Sequence, residues 1–69
     1  MTKTFTAVIH KEEDMYVAEC PEIGTVSQGY SVEEALGNLK EATEIYLEEF
    51  PFQEPRKSLL TTFEIAVNA

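Results

Sequence analysis

The start of a helix at Ser31 is the feature that most constrains the fold of this chain. Ser31-Val32-Glu33-Glu34 has the pattern of a capping box. In that motif the serine hydroxyl accepts a hydrogen bond from the backbone N–H of Glu34, and the Glu34 carboxylate accepts one from the backbone N–H of Ser31. The apolar residues that follow recur at helical spacing, which predicts one amphipathic helix from residue 32 to about residue 50. Its apolar stripe consists of Val32, Ala35, Leu36, Leu39, Thr43, Tyr46, Leu47 and Phe50.

Three short strands are predicted before this helix. Residues 4–10 and 15–20 alternate between two faces and are rich in β-branched, apolar and aromatic residues. The polar residues 11–14 between them indicate a hairpin connection. Pairing His10 opposite Met15 places Ile9 across from Tyr16 on the apolar face. Residues 25–30 predict a third strand, which is weak because Gly29 lies within it.

A fourth strand is predicted after the helix, at residues 59–67, and a proline-rich turn at residues 51–55 separates the two. One face of this strand, at a spacing of two, carries Leu59, Phe63, Ile65 and Val67. The first three strands form an antiparallel meander and the helix returns the chain, so the fourth strand runs parallel beside the first. The predicted fold is α+β with the order β-β-β-α-β: one domain over residues 1–69, a sheet of order 3-2-1-4, and one helix on one face.

Self-association is predicted from size and composition. A chain of 69 residues pays a conformational entropy that a small core barely offsets, and small domains close that gap with disulfides, a metal or association. One cysteine and one histidine exclude an internal disulfide and disfavour a zinc cage. A single helix also leaves the second sheet face uncovered, with Val8, Val17 and Leu60 among its residues. We therefore expect a homo-oligomer, a dimer or tetramer, without cofactor or metal.

The charge balance restricts the kind of partner. Asp and Glu number 13 against 5 for Lys and Arg, and the net charge is -8. Direct binding of DNA or RNA is disfavoured, because contacts to phosphates require the opposite sign. A basic protein partner is favoured, since opposite fields steer two proteins together. The alternative is that the charge only keeps a small protein soluble.

The residues that could carry catalysis are few. His10 is the single histidine, and the sequence places no carboxylate or nucleophile beside it. Cys20 lies in no motif that would lower its pKa, so a buried, inert thiol is expected. Glu12-Glu13-Asp14 is typical of a solvated turn rather than a rigid cation site. No phosphate-binding loop, dinucleotide fingerprint or nucleophile elbow is present. We expect a protein that is not an enzyme.

The sequence also predicts where the protein resides. No apolar run approaches the ~20 residues that span a membrane, and residues 1–4 lack the apolar core of a signal peptide. A lone cysteine suits a reducing compartment. We expect a cytoplasmic protein without a membrane partner.

Several stretches together resemble a known family. Residues 16–24 are YVAECPEIG, residues 26–29 are VSQG, residues 31–42 are SVEEALGNLKEA and residues 46–49 are YLEE. This pattern closely resembles the HicB family of type II antitoxins, which includes short stand-alone proteins, and Pro55-Arg56 with residues 62–67 is similar to the closing strand of that family. The resemblance implies a partial ribonuclease H-like fold and a dimer or higher oligomer. It also implies binding and inhibition of a HicA-type toxin, a small basic protein that cleaves mRNA.

Some features of the chain differ from the family or from active nucleases. The predicted first strand, residues 4–10, contains no Asp or Glu, which argues against two-metal nuclease activity in a ribonuclease H-like fold. The sequence ends shortly after the predicted last strand, so we expect no C-terminal DNA-binding domain. Ile23 replaces the usual proline before the loop glycine, which indicates the short stand-alone subgroup. The alternative to an antitoxin is therefore an orphan HicB-like oligomeric module with a structural or small-ligand role and no toxin partner.

Acidic side chains are the candidate partner-binding residues. Three lie in the predicted hairpin connection and four on the face of the helix opposite its apolar stripe. The alternative, that each is an ordinary solvated carboxylate, stays open. The seven candidates are Glu12, Glu13, Asp14, Glu33, Glu41, Glu44 and Glu48.

Overall fold

The computed structural model of this chain describes residues 2–50 and 58–68. The strands are β1 (Val8–Glu12), β2 (Met15–Cys20) and β3 (Thr25–Gly29), followed by the helix α1 (Val32–Glu49). The strands form one antiparallel sheet in the order β1-β2-β3, and α1 packs on one face of it. The predicted α+β class, the meander and the single helix are confirmed. The proline-rich turn predicted at residues 51–55 lies outside the described residues.

The predicted fourth strand is wrong. Residues 58–68 form no regular secondary structure and all of them are exposed, so among the described residues the sheet ends at β1 and has the order β1-β2-β3 instead of the predicted 3-2-1-4. Alternating apolar residues indicate an extended segment with one apolar face. A strand also needs a neighbour that takes its backbone hydrogen bonds, and β1 of the same chain does not pair with this segment.

The β1–β2 hairpin is tighter than predicted. The first strand begins at Val8 rather than residue 4 and extends to Glu12, which pairs with Met15 across a two-residue turn. Within this turn Glu13 has a φ of 55°, in the left-handed region. Ile9 lies opposite Ala18 instead of the predicted Tyr16. The register differs by two residues, and an even shift leaves each side chain on its predicted face.

The buried core lies between α1 and the sheet. Ala18 and Cys20 of β2 meet Ala35 and Leu39 of α1. Thr43 is also buried, and its hydroxyl lies 2.7 Å from that of Thr25 on β3. The packing of α1 is heaviest against β3, lighter against β2 and lightest against β1. The helix therefore leaves the β1 side of the sheet largely open.

The predicted apolar stripe of the helix is wider than its buried part. Val32 and Leu36 keep 45% and 46% of their surface exposed, and Phe50 keeps 55%. These residues flank the row of Ala35, Leu39 and Thr43 that faces the sheet, so spacing alone identified the correct side of the helix but not the limits of its contact. On the opposite sheet face, Val8 and Val17 are half-buried. Leu60, which was assigned to that face, lies in the exposed segment after the helix.

The helix boundaries follow from caps close to those predicted. The Ser31 hydroxyl accepts a hydrogen bond from the Glu34 N–H at 3.0 Å, as the capping box requires. The Glu34 carboxylate accepts from the N–H of Tyr30, at 2.9 Å, rather than from that of Ser31. At the other end the Phe50 N–H donates to the Tyr46 carbonyl and closes the last turn.

Candidate partner-binding surface

The hairpin carboxylates and the start of the helix lie at one end of the molecule. The β1–β2 turn holds Glu12, Glu13 and Asp14, which are all exposed. The last residue of β3 pairs with the second residue of β2, beside that turn, and only two residues separate β3 from α1. Glu33, in the first helical turn, therefore joins the hairpin residues at this end. We call Glu12, Glu13, Asp14 and Glu33 the acidic end.

Three further candidates form a row along the helix. Glu41, Glu44 and Glu48 are exposed and spaced by three and four residues, which places them one above another on the side away from the sheet. We call these three residues the acidic stripe. Glu48 lies ~22 Å along the helix axis from Glu33 at 1.5 Å per residue. The seven candidates thus extend from the hairpin turn along the length of the helix and do not form one cluster.

The three glutamates of the acidic stripe form no ion pair within residues 2–50 and 58–68, although Lys40 lies one helical turn before Glu44. His10 Nε2 and Glu12 Oε2 lie within hydrogen-bond distance, 3.0 Å, at the acidic end. The last turn of α1 contains no basic side chain, so Glu48 lies near the negative end of the helix dipole without compensation. Acidic residues at that end cost about 0.3–1 kcal/mol each. The placement of these charges therefore opposes the local stability of the helix.

At the opposite end of the sheet, Thr6, Cys20 and Glu22 form a hydrogen-bonded group that the sequence did not predict. The Glu22 carboxylate accepts hydrogen bonds from the backbone N–H of Thr6, at 2.9 Å, and from its hydroxyl. The Cys20 thiol donates to the same carboxylate at 3.4 Å. Sixteen residues separate Thr6 from Glu22, and no local pattern indicates such a contact. The group connects residues 2–7, which we call the N-terminal segment, to the loop after β2.

Two pKa values in this group depart from their usual ranges. Burial raises the pKa of the Cys20 thiol, with further contributions from the neighbouring Glu22 carboxylate. The hydrogen bond from the Thr6 hydroxyl lowers the pKa of the Glu22 carboxyl. The buried position predicted for Cys20 is confirmed. A raised pKa keeps the thiol protonated, which is the less nucleophilic form.

An open apolar groove lies between α1 and the N-terminal segment. It has a volume of about 760 Å³, and Phe5 and Ala7 line one side while Leu36 and Leu47 line the other. Lys3 and several charged helix residues stand at its rim, namely Glu33, Lys40 and Glu44. Sequence reasoning missed this groove. The signal available was that Leu36 and Leu47 lie at one edge of the apolar stripe, on the side that packs least against the sheet.

The described residues contain neither a metal-binding cluster nor a membrane-spanning helix. In residues 2–50 and 58–68, no three His, Cys, Asp or Glu side chains converge in a way that could hold a metal ion. No helix in that part of the chain combines the length and the apolar character needed to cross a membrane.

Comparison with known proteins identifies a relative. The chain is 47% identical over 66 residues to a UPF0150 protein of Helicobacter pylori (strain J99 / ATCC 700824). The match covers 87% of this chain and 92% of that protein. No family model matches the chain, and no solved structure does so with significance.

Proposed function

Because this chain belongs to the UPF0150 family, which is HicB-like, we propose that it is an antitoxin domain. In this proposal it binds and neutralises a small basic HicA-type toxin that cleaves mRNA, and it catalyses no reaction itself. The observation that carries the proposal is the acidic stripe, Glu41, Glu44 and Glu48, which is exposed and forms no ion pair in the described part of the chain.

The electrostatics of the stripe suit such a partner. A toxin that holds RNA needs a basic surface, and an acidic row about two helical turns long can occupy that surface and exclude the phosphates. Successive glutamates of the stripe lie about one turn apart and repel, and the last turn adds an unfavourable dipole interaction. Charges that cost stability without local compensation are typical of residues kept for function.

The experiment is a titration with the small basic protein encoded beside this gene. Calorimetry at low and at high salt measures the affinity, and an RNA-cleavage assay measures neutralisation. We expect micromolar or tighter binding that weakens as salt rises, together with loss of cleavage. If no small basic protein encoded next to the gene binds at micromolar concentration, the antitoxin proposal is wrong and the orphan module is favoured.

A matched pair of variants locates the surface. Glu44→Lys changes a carboxylate of the acidic stripe, and Glu19→Lys makes the same charge change at an exposed position on β2. Glu19 pairs with Val8 and Val26, on the sheet face away from the helix. We expect Glu44→Lys to weaken binding by about tenfold or more, ~1.4 kcal/mol, and Glu19→Lys to change it much less. Equal losses would contradict a specific role for the stripe.

The remaining parts of the proposal concern the setting. We propose a cytoplasmic homo-oligomer, a dimer or tetramer, that does not bind nucleic acid directly. The net charge of -8 supports the last point, because nucleic acid carries the same sign. Filter binding of labelled RNA and DNA by the isolated chain is expected to show no retention at moderate salt, and tight binding would contradict it.

A further inference from the structure

The segment after the helix is an apolar arm that pairs with no strand of the described residues. We call residues 58–68 the tail. Phe63, Ile65 and Val67 alternate along it and expose 81%, 70% and 80% of their surface, and Leu59 exposes 87%. A row of four large apolar side chains on one face of an extended segment is a surface that proteins normally cover.

The body of the molecule carries a matching surface. β1 is the edge strand of the sheet, so one row of its backbone N–H and C=O groups faces no other strand among the described residues. The apolar groove, with Phe5, Ala7, Leu36 and Leu47 on its walls, lies between the helix and residues 2–7, which lead directly into β1. The helix packs least against β1, which leaves room there for another strand.

The tail matches this edge in length, and it brings little charge to the contact. Residues 59–67 extend over ~30 Å as a strand, the same length as residues 4–12, which contain most of the N-terminal segment and all of β1. Glu64 is the one charged residue in 58–68. Two copies that each carry a charge of -8 can therefore meet through the tail and the groove without bringing their acidic stripes together.

We propose that two copies of this chain exchange tails. The tail of each copy pairs with the edge of β1 in the other and lays Phe63, Ile65 and Val67 into its groove. The overall dimensions favour exchange over closure onto the same chain: the radius of gyration is 14.4 Å and the longest extent 47 Å, whereas a compact chain of this length has a radius of about 11 Å. An arm that projects from its own body is placed to reach a neighbour, as in domain swapping.

This inference gives the proposed homo-oligomer a geometry, and its test uses the purified chain alone, so it can fail or succeed independently of toxin binding. Nuclear magnetic resonance on a mixture of ¹³C-labelled and unlabelled chains separates contacts between copies from contacts within one. We expect filtered nuclear Overhauser effects between the tail ring of Phe63 and the methyl of Ala7 in the mixed sample. Contacts seen only within one chain, or no contact at all between tail and groove, would overturn the proposal.

A matched pair of tail variants provides the second measurement. Ile65→Lys places a charge on the apolar face of the tail, and Thr62→Lys places the same charge on its other face. Light scattering coupled to size exclusion reports the mass, and circular dichroism confirms that each variant is folded. We expect Ile65→Lys to raise the dimer dissociation constant by about 100-fold or more, since it buries an unpaired charge. The Thr62→Lys variant is expected to have the same dimeric mass as the parent chain. A monomeric parent chain, or equal effects of the two variants, would refute the exchange.

Discussion

The Glu22 carboxylate holds two distant parts of the chain together. It accepts two hydrogen bonds from Thr6 and one from the Cys20 thiol. These bonds favour the ionised carboxylate, and they hold its pKa below the usual range of a glutamic acid. Because the folded state binds the proton less readily than the unfolded chain, ionised Glu22 stabilises the fold.

Glu22→Gln is therefore expected to lower stability at neutral pH and to flatten its dependence on acid. The contribution of Glu22 is complete above the pKa of the unfolded chain, about 4.3, and is lost as pH falls through the lower folded value. Urea unfolding at a series of pH values measures this, with Glu19→Gln at an exposed position of β2 as the control. The gap between parent and Glu22→Gln should close in acid. A gap that stayed constant with pH would argue against the ionised carboxylate as its cause.

The hairpin turn contains a residue in an unfavourable backbone conformation. Glu13 has a φ of 55°, and a side chain in the left-handed region costs roughly 1–2 kcal/mol. Glycine lacks that cost but loses more entropy on folding. Glu13→Gly is expected to raise the free energy of unfolding by about 0.5–1 kcal/mol, measured by urea denaturation. Asp14→Gly is the control, because Asp14 lies outside the left-handed region, and an equal gain there would point to a charge effect instead.

At the scale of elements, α1 and β3 pack at a distance that only glycine permits. A Cβ at Gly29 would lie 2.6 Å from the backbone nitrogen of Ala35, and backbone cannot move aside cheaply. At Gly37, on the outer side of the same helix, a Cβ would meet nothing within 4 Å. Gly29 is therefore required by the close packing of α1 on β3, whereas the surroundings of Gly37 leave space for a side chain.

Alanine substitutions at these two positions should have opposite effects. Gly29→Ala is expected to lower the free energy of unfolding by about 1–3 kcal/mol through overpacking. Gly37→Ala is expected to raise it by roughly 0.5–1 kcal/mol, since alanine has the higher helix propensity. Thermal unfolding followed by circular dichroism compares both with the parent. If both variants shifted in the same direction, the close approach of α1 to β3 would not be the controlling factor.

At the scale of the whole molecule, the charge of -8 acts on folding and on binding in opposite ways. Repulsion among the carboxylates opposes the compact state, and the contact between His10 and Glu12 that could offset it is exposed and weak. Salt screens both the repulsion and any attraction to a basic partner. Added salt should therefore raise the stability of the folded chain and lower its affinity for a basic partner.

This prediction can be checked with two measurements on one protein. Raising ionic strength from ~0.01 M to ~0.15 M shortens the screening distance from about 30 Å to about 8 Å. The melting temperature of the chain is expected to rise over this range, while its affinity for the neighbouring gene's basic product falls. Sodium chloride and potassium chloride should act alike, since the effect is screening. A melting temperature that fell with salt would mean that attractive pairs outweigh the repulsion.

Local patterns of residues determined much of this structure without reference to its tertiary contacts. The helix begins at Val32 behind Ser31 and ends at Glu49, and β2 covers Met15–Cys20, because caps and periodicities act over a few residues. The faces of the hairpin residues were also predictable, since alternation survives an even shift of register. The exposure of the seven candidate carboxylates follows from the same periodicities and from the cost of burying charge.

Only the tertiary structure decided the features that depend on distant residues. Three features join segments that are separate in the sequence. They are the contact of Thr6 with Glu22, the approach of Ala35 to Gly29, and the groove between α1 and residues 2–7. The tail shows the limit most clearly: its alternation indicated an extended apolar segment, yet no strand in residues 2–50 pairs with it. Periodicity determines which side chains share a face. Which surface covers that face is a long-range choice that depends on the shape of the whole molecule and its neighbours.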